Sequence, residues 1–226
     1  MKRRPTHELL DTDSGSPEEV AGSIRDLQSL NLHLGGVTTT RELIRSIAQK
    51  TGRRQLSVLE VAAGSGFVPV RAAEQLARSG ITVQITLLDR AVTHLPRNGS
   101  SRKLVADALS LPFSDSMFDL VSCSLFLHHL CPDDVARFTR ESLRVARLAV
   151  LVNDLIRHPM HLALAYLGVP FYRSRLTRHD APASVKQAYT TAEMQELLTR
   201  GGAAEVETQT QHLYRMGMIA WKTGAA

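Results

Sequence analysis

Two glycines follow an apolar stretch of the chain that carries a single acid. Residues 58–66 read Val-Leu-Glu-Val-Ala-Ala-Gly-Ser-Gly, with Glu60 inside the apolar stretch and Gly64 and Gly66 after it. Glycines at a strand-to-helix turn let the backbone approach a ligand closely, and the N-terminus of the next helix adds partial positive charge. A carboxylate beside that turn would repel a pyrophosphate, but it suits a nucleoside joined to an ammonium group. S-adenosylmethionine (SAM) is a ligand of that kind.

Acids also follow two later apolar stretches. Asp89 follows the second predicted strand, where it suits a ribose diol, and Asp107 follows the third, where it suits an adenine amine. Ligands of open α/β sheets bind at the carboxyl ends of the strands, so we expect these acids to lie near the glycine turn. The predicted cofactor-binding residues are Glu60, Ala62, Gly64, Ser65, Gly66, Asp89, Arg90, Asp107, Ala108 and Ser124.

Three polar residues are candidates for proton chemistry. His128 precedes a predicted helix, Asp154 follows the fifth strand, and His179 stands next to an aspartate. A phenol of pKa ~10 needs help to lose its proton near neutral pH, and histidine is the natural base there. Each histidine also has a structural interpretation, His128 as a packed or capping residue and His179 as a solvated one. No metal is predicted, because His158-x-x-His161 lacks an acid or cysteine in a known ligand pattern.

One family resemblance rests on two motifs after the glycine turn. Residues 105–121 read Val-Ala-Asp-Ala-Leu-Ser-Leu-Pro-Phe-Ser-Asp-Ser-Met-Phe-Asp-Leu-Val, and Leu-His-His-Leu follows at 127–130. Together these segments resemble the class I SAM-dependent methyltransferases of the small-molecule kind, type 11, which include the ubiquinone/menaquinone C-methyltransferases. The resemblance spans roughly residues 56–222. It implies that Asp107 lies near the adenine, Asp89 near the ribose and the glycine turn near the methionine part. Ala62 departs from the family pattern, which usually has its first glycine there.

A looser resemblance bears on the acceptor. Residues 153–185 are similar to a subgroup of bacterial methyltransferases that accompany polyketide and phenolic-lipid pathways. We expect a small hydrophobic hydroxylated aromatic acceptor and S-adenosylhomocysteine as by-product. O-methylation is favoured because histidine candidates exist and phenols are common acceptors, and C-methylation of a quinol-type ring is the alternative. An NAD(P)-dependent oxidoreductase fits less well, because Pro69 replaces the third glycine of the dinucleotide fingerprint. A non-catalytic SAM-binding module is a further alternative.

The elements that must position these residues alternate between strand and helix from Leu56 onward. This alternation predicts an α/β, Rossmann-like, seven-stranded and mostly parallel sheet with helices on both faces and an antiparallel C-terminal strand. Residues 1–52 are predicted to form an N-terminal tail and helical cap, and residues 53–226 the SAM-binding core. Within the cap, residues 1–15 are expected to be poorly ordered, one helix begins at Pro17 after Ser16, and Thr39 or Thr40 caps a second.

The alternation is interrupted at about residues 156–189. This stretch has three prolines, many basic residues and the apolar run Met160–Phe171, and it is predicted to be an irregular insertion that forms a lid after strand 5. The apolar run has two interpretations. It forms a lid over a hydrophobic acceptor, which we favour, or it makes transient contact with a membrane that holds the acceptor.

Composition restricts the class of protein further. The chain has 226 residues, two cysteines and a net charge of +5, with 5% aromatic residues. Basic residues scattered among acids, with few aromatics, argue against a nucleic-acid partner. Two cysteines imply no disulfide framework, and they predict a cytoplasmic location. We find no apolar run near the ~20 residues of a membrane span and no signal-peptide pattern.

Overall fold

The computed structural model describes residues 1–12, 14–96, 101–212 and 214–224. In these ranges no helix combines the length and apolar character that crossing a bilayer requires. The helices are α1 (Pro17–His33), α2 (Gly36–Thr51), α3 (Phe67–Ala77), α4 (Pro132–Val145), α5 (Pro159–Gly168), α6 (Arg175–Gln187) and α7 (Thr191–Arg200). The strands are β1 (Gln55–Val61), β2 (Thr82–Asp89), β3 (Arg102–Val105), β4 (Phe118–Ser124), β5 (Ala146–Leu155), β6 (Glu205–His212) and β7 (Arg215–Trp221).

All of these strands belong to one sheet, in the order β3-β2-β1-β4-β5-β7-β6. β1 pairs in parallel with β2 and β4, whereas β7 runs antiparallel to both β5 and β6. The strand order reverses between β1 and β4, and a crevice forms there at the carboxyl ends of the strands, where open α/β sheets bind ligands. The predicted Rossmann-like sheet with an antiparallel C-terminal strand is confirmed.

Helices cover the sheet on both faces because its central strands are apolar on both sides. Val58 and Leu120 pack in a cluster with side chains of α2 and α3. Their neighbours in the chain, Leu59 and Val121, point the opposite way and pack with side chains of α4 and α7. Burial on both faces is typical of parallel strands and explains why these strands read as continuous apolar runs.

The stretch at residues 156–189 is largely helical, which corrects the expectation of irregular structure. Pro159 stands at the first position of α5, where a missing N–H costs no hydrogen bond, and Pro170 lies in the short 3₁₀ turn Val169–Phe171. Pro182 lies inside α6, which is an unfavourable position for proline. α6 contacts both α1 and α5, so these three helices form one layer beside the carboxyl edge of the sheet.

The start of the second helix also differs from the prediction. α2 begins at Gly36, after Gly35 with a φ of 86°, so neither threonine is its cap. Thr39 and Thr40 lie inside the helix and are fully buried. The left-handed conformation at Gly35 permits the sharp reversal from α1, and only glycine adopts it without strain. By contrast, the predicted capping of α1 by Ser16 is confirmed: its hydroxyl accepts from the Glu19 amide.

The first residues are packed, contrary to the expectation of poor order. Arg3 donates from Nε to the Gln187 carbonyl oxygen at 2.6 Å and from Nη2 to the carbonyl oxygens of His128 and Leu130, both at 2.9 Å. Glu8 is buried. The partners of these side chains lie more than a hundred residues away, which is why a polar N-terminal composition gave no sign of them. Residues 1–12 therefore extend across the edge of the sheet to α6.

Candidate functional site

The glycine turn after β1 is held by the end of β2. The Asp89 carboxylate accepts from the Gly64 amide at 2.7 Å through Oδ2 and from the Ala91 amide at 2.8 Å through Oδ1. The turn itself closes through the Gly66 amide, which donates to the Ala63 carbonyl oxygen at 2.8 Å. A carboxylate oxygen can accept more than one hydrogen bond, and each Asp89 oxygen accepts one here, so Asp89 keeps acceptor capacity for a ligand hydroxyl.

Ala62 occupies the left-handed region of the backbone, with a φ of 53°. This is the position where the family pattern usually has glycine, and the conformation explains that preference, since a Cβ atom is strained there. Gly66 is constrained differently. It also has a positive φ, of 67°, and an added Cβ would lie 2.6 Å from a methyl carbon of Leu87. The turn therefore needs a small residue at both ends.

Glu60 lies below this turn with its charge unmatched. The residue is 1% exposed, and neither carboxylate oxygen has a hydrogen-bond partner among the described residues. The hydroxyls of Ser122 and Ser124 on β4 are likewise buried without partners in that part of the chain. A buried polar group without a partner is costly, so three such groups together indicate a place for a polar ligand group.

Burial changes the acidity of Glu60. Removal from water disfavours the carboxylate and raises the pKa of Glu60 to about 7. The Ser122 and Ser124 hydroxyls, near the carboxylate but outside hydrogen-bonding geometry, lower this pKa by a smaller amount. A cationic group brought into the cavity would favour the ionised form and reverse this shift. An ammonium meets that requirement, directly or through a bridging water. The unpartnered acid is therefore the structural observation that fits SAM.

Glu60, Ser124 and most of the glycine turn line a cavity of about 870 Å³. Gly66 is not part of its wall, and Asp107 stands exposed at the rim with its carboxylate accepting from the Leu109 amide at 2.9 Å. The contacts of these residues with SAM remain predictions. The predicted cofactor residues that line the cavity are Glu60, Ala62, Gly64, Ser65, Asp89, Arg90, Asp107, Ala108 and Ser124.

The part of the cavity beyond the glycine turn is bounded by α1, α5, α6 and the start of β7. Gln28 of α1 contacts the turn directly, donating from Nε2 to the Ser65 hydroxyl at 3.4 Å. Apolar side chains supply most of this wall, as expected of a site that takes an apolar molecule. They include Leu27, Leu34, Phe126, Leu164, Ala165 and Val185.

A buried histidine between two acids is the main polar feature of that wall. Nδ1 of His128 lies 2.6 Å from Oδ1 of Asp154, and Nε2 lies 3.6 Å from Oε1 of Glu8. Oε1 of Glu8 in turn accepts from the Ser184 hydroxyl and from the side-chain amide nitrogen Nε2 of Gln187, both at 2.6 Å. His128 and Glu8 line the cavity, whereas Asp154 stands behind the histidine.

The charges of this cluster reinforce one another. Burial alone would lower the pKa of an imidazole, but the charge and hydrogen bond of Asp154, with a contribution from Glu8, raise the pKa of His128 to about 10. Burial would also raise the pKa of both acids, yet the histidine holds the pKa of Asp154 and of Glu8 below their usual values. His128 is therefore an imidazolium at neutral pH, paired with two carboxylates.

His179 is placed differently from His128. Its side chain is 47% exposed, its Nδ1 lies 2.8 Å from Oδ1 of Asp180, and it is not among the residues that line the cavity. The Asp180 carboxylate also accepts from the backbone amides of Leu9 and Leu10, and it thereby anchors the N-terminal segment to α6. A catalytic role for His179 remains a prediction, and the cavity wall gives it no support.

Two contributors to this wall carry no recognisable sequence signal. Glu8 lies in a polar tail, and Arg215 stands alone at the start of an apolar strand. The Arg215 guanidinium is buried and donates to the side-chain oxygens of Asn153 and Asn31, both at 3.3 Å, so it joins β7, β5 and α1. Burial lowers the pKa of Arg215 to about 10, with the nearby charge of Asp154 acting against it, and the group stays charged at neutral pH.

The histidines considered as a metal pair are engaged with the protein instead. His158 accepts from the Met160 amide at the start of α5, and His161 stacks on the Tyr214 ring with its Nδ1 2.9 Å from the Ile156 carbonyl oxygen. A different trio, namely Glu8, His128 and His129, brings atoms able to bind a metal within 4.8 Å of one another. The raised pKa of His128 favours a proton over a metal at that position.

Comparison with known proteins agrees with this geometry. Residues 59–149 match the family model described as a methyltransferase domain. The chain matches no curated protein. The plantazolicin methyltransferase BpumL, solved with a desmethyl substrate analogue and S-adenosylhomocysteine, is 12% identical with a TM-score of 0.68, and the alignment covers 95% of this chain and 94% of that one.

Other solved structures share the fold at similar distance. The magnesium protoporphyrin IX methyltransferase of Synechocystis PCC 6803, solved with bound SAM, is 11% identical with a TM-score of 0.52 and coverage of 84% and 80%. A SAM-dependent methyltransferase of Methanosarcina mazei is 20% identical with a TM-score of 0.51 and coverage of 75% and 93%. The chain spans only 57% of the length of a similar protein from Nostoc punctiforme PCC 73102.

The fold, the site and the family match together define the class of the protein. It has the class I methyltransferase fold, and part of the chain matches a methyltransferase domain. The matched residues 59–149 contain the glycine turn, Glu60 in β1, Asp89 at the end of β2 and Asp107 after β3.

The strained alanine gives a first prediction. We expect Ala62→Gly to leave the free energy of unfolding unchanged or raise it by about 1 kcal/mol, because relief of the left-handed strain exceeds the added chain entropy. Ala62→Val should lower it by roughly 2 kcal/mol or more, since a β-branched residue is poorly tolerated at positive φ. Urea unfolding measures both. Ala63→Gly, at a neighbour with ordinary negative φ, is the control and should only destabilise. A loss of stability in Ala62→Gly equal to that control would contradict the assignment.

The unpartnered acid gives a second prediction. Glu60 ionises near pH 4.5 in the unfolded chain but only near pH 7 in the folded protein. Between these values the folded protein holds the extra proton, so the free energy of unfolding falls as the pH rises from about 4.5 to about 7. Glu60→Gln should therefore stabilise the ligand-free protein by roughly 3 kcal/mol at pH 8 and by little at pH 4.5. The same variant should bind SAM at least about tenfold more weakly, because it cannot pair with the ammonium. Unfolding curves at several pH values and calorimetric titration with SAM check both parts, and equal SAM affinity in the variant would refute the pairing.

Proposed function

We propose that this enzyme transfers the methyl group of SAM to a small, hydrophobic, hydroxylated aromatic acceptor, with O-methylation of a phenol as the favoured reaction. The observation that carries the proposal is the imidazolium of His128 in the largely apolar acceptor half of the cavity, opposite the cofactor half. In this proposal residues 53–226 form the core, residues 1–52 and about 156–189 cover it, and the enzyme acts in the cytoplasm as part of secondary metabolism.

The cofactor half of the cavity supports a defined orientation of SAM. The unpartnered Glu60 carboxylate suits the ammonium group at the deep end, and Asp89, which already holds the glycine turn, has acceptor capacity for the ribose hydroxyls. Asp107, at the rim of the cavity, suits the adenine amine. When bound, SAM supplies an electrophilic methyl group. Its sulfur keeps the electron pair of the broken C–S bond, and the remainder leaves as S-adenosylhomocysteine. Positioning of that methyl group against the acceptor accounts for much of the acceleration in such a reaction.

The acceptor half suits an anionic oxygen in an apolar setting. The Nδ1 proton of His128 is directed to Asp154, whereas the Nε2 proton is directed to Glu8 over a long 3.6 Å contact that an acceptor oxygen can replace. A hydrogen bond from the imidazolium, with Arg215 in the same wall offsetting the charge of the two carboxylates, favours ionisation of a bound phenol, so the phenol gives up its proton to solvent below its ordinary pKa of ~10. We infer that His128 stabilises the phenolate and does not act as the base that removes its proton.

The residues around His128 hold it in the charged state. Asp154 fixes the ring orientation from behind, and Glu8 closes the site from the N-terminal segment. The apolar side chains of α1, α5 and α6 exclude water, which strengthens every charge interaction inside the cavity. Asp154 and Glu8 are therefore positioning residues, and His128 is the group that touches the acceptor.

The known structures with this fold support an organic acceptor of moderate size. Two of them are a plantazolicin methyltransferase and a magnesium protoporphyrin IX methyltransferase. The apolar wall of the present cavity favours a flat, apolar ring over a charged peptide. C-methylation of a quinol-type ring is the second candidate, because the same phenolate would activate the carbon next to it.

The proposed reaction is tested by incubating the enzyme with SAM and a panel of phenols and quinols that differ in alkyl-chain length. We expect a product heavier by one methylene, and its NMR spectrum distinguishes an aryl methyl ether from a ring-methylated product. A ring-methylated product would replace O-methylation by the second candidate. If SAM binds and no phenol or quinol in the panel is methylated, the acceptor class proposed here is wrong.

The role of His128 gives a third prediction. His128→Gln should lower kcat by about 10²-fold or more at pH 7 while SAM affinity changes little, since the loss falls on the acceptor oxygen. The rate of the variant should then rise about tenfold per pH unit up to the phenol's own pKa of ~10, because only ionised acceptor reacts. His179→Gln is the control with a histidine outside the cavity, and it should keep wild-type rates. A wild-type pH profile that falls below pH 7 together with a flat profile for His128→Gln would indicate a general base instead.

A further inference from the structure

α5 presents apolar side chains to the solvent along one side. Met160, Leu164 and Leu167 are spaced three and four residues apart and so share a helix face, and Phe171 follows in the short turn after the helix. These side chains are exposed by 55%, 44%, 69% and 84%, respectively. We call these four residues the apolar stripe.

The stripe is unusual for the surface of this protein. Single exposed apolar residues are ordinary, but a contiguous group marks a contact surface. Of the eleven large apolar residues exposed in the described part of the chain, five lie between Met160 and Phe171, counting Tyr166. The predicted lid therefore covers the cavity with one side only, and its other side is left uncovered.

The cavity opens beside the stripe. His161 and Ala165, on the adjacent side of α5, line the cavity, and Leu164 belongs to both surfaces. Across the opening, Leu34 at the end of α1 is 58% exposed and also lines the cavity. An apolar molecule that leaves the surface touched by the stripe would enter the acceptor half without crossing water.

The charges near the stripe are positive. Asp180 is the one acidic residue in the stretch 156–189, and it is buried. Arg173 and Arg178 are exposed and form no ion pair with another described residue. Lys186 lies over the Tyr166 ring and donates to its hydroxyl at 2.7 Å, so this ring combines an apolar face with a polar, cationic end. Apolar side chains flanked by basic ones are typical of segments that lie in the interface of an anionic bilayer.

We propose that the apolar stripe docks α5 on an anionic lipid surface and that the acceptor passes from that surface into the cavity. The second step rests on the proposed function, because it assumes an apolar acceptor, whereas docking requires neither SAM nor methyl transfer. It follows that the acceptor is an amphiphile dissolved in the membrane, with its hydroxylated ring at the His128 end and its apolar part toward Leu34 and Leu164.

Docking is tested by sedimentation of the full chain with vesicles of equimolar phosphatidylcholine and phosphatidylglycerol. We expect the wild type to bind these vesicles and to bind less at high salt or to phosphatidylcholine alone. Leu167→Ser/Phe171→Ser should bind at least about tenfold more weakly, since each side chain inserts apolar area. Val105→Ser/Met117→Ser, which changes two exposed apolar residues elsewhere, is the matched control and should bind like the wild type.

Several outcomes would overturn the proposal. Wild-type protein that stays in the supernatant, or a stripe variant that binds as well as the control, excludes docking through the stripe. Light scattering without lipid that shows a dimer, lost in the stripe variant, together with no vesicle binding, would assign the surface to a second copy of the chain. The stripe variant should keep its SAM-induced thermal shift and its rate with a short-chain phenol in solution. If no phenol is methylated while vesicles are bound, the proposed function fails and docking stands.

Discussion

A buried carboxyl group whose ionised form has no partner among the described residues is the constraint around which the site is organised. Glu60 stands in the middle of a sheet whose neighbours are apolar, and no described residue neutralises it. Such a charge persists only where something else balances its cost. Because a cationic ligand balances it in the complex and nothing does in its absence, ligand binding and stability are coupled through this one side chain. The glycine turn, the Asp89 bonds to it and the β4 hydroxyls can be understood as the frame that keeps this charge in place.

The two halves of the cavity differ in how far they could be predicted. The predicted cofactor residues lie within a few positions of strand ends, and strands are recognisable in the sequence as apolar runs. Local pattern alone therefore predicted Glu60, Asp89 and Asp107, which line the cavity. The wall around His128 depends on contacts between distant parts of the chain. Asp154 was a candidate for its place after β5, but nothing local indicated that it lies behind His128. Glu8 and Arg215 gave no signal, since an acid in a polar tail and a lone arginine are common and mostly solvated.

The errors in the elements have similar causes. Prolines and basic residues between β5 and α7 suggested irregular structure, yet proline is compatible with the start of a helix, as at Pro159. Thr39 and Thr40 have the composition of helix caps, but Gly35 reverses the chain earlier and places both inside α2. A catalytic role for His179 stays a prediction. Asp180 contacts its ring and also accepts from the backbone of Leu9 and Leu10, and the histidine is not among the residues that line the cavity.

The chain order of the site has a consequence for how the enzyme is made. Arg3 finds its partner carbonyl at Gln187, 184 positions later, and Glu8 finds Ser184, 176 positions later. Arg3 and Glu8 therefore reach their places around His128 only after α6 has been synthesised. Contacts of such long range slow folding and form late. The glycine turn is held by a contact between positions only 25 apart, so it can form early, whereas the enclosed acceptor chamber depends on contacts that span most of the sequence.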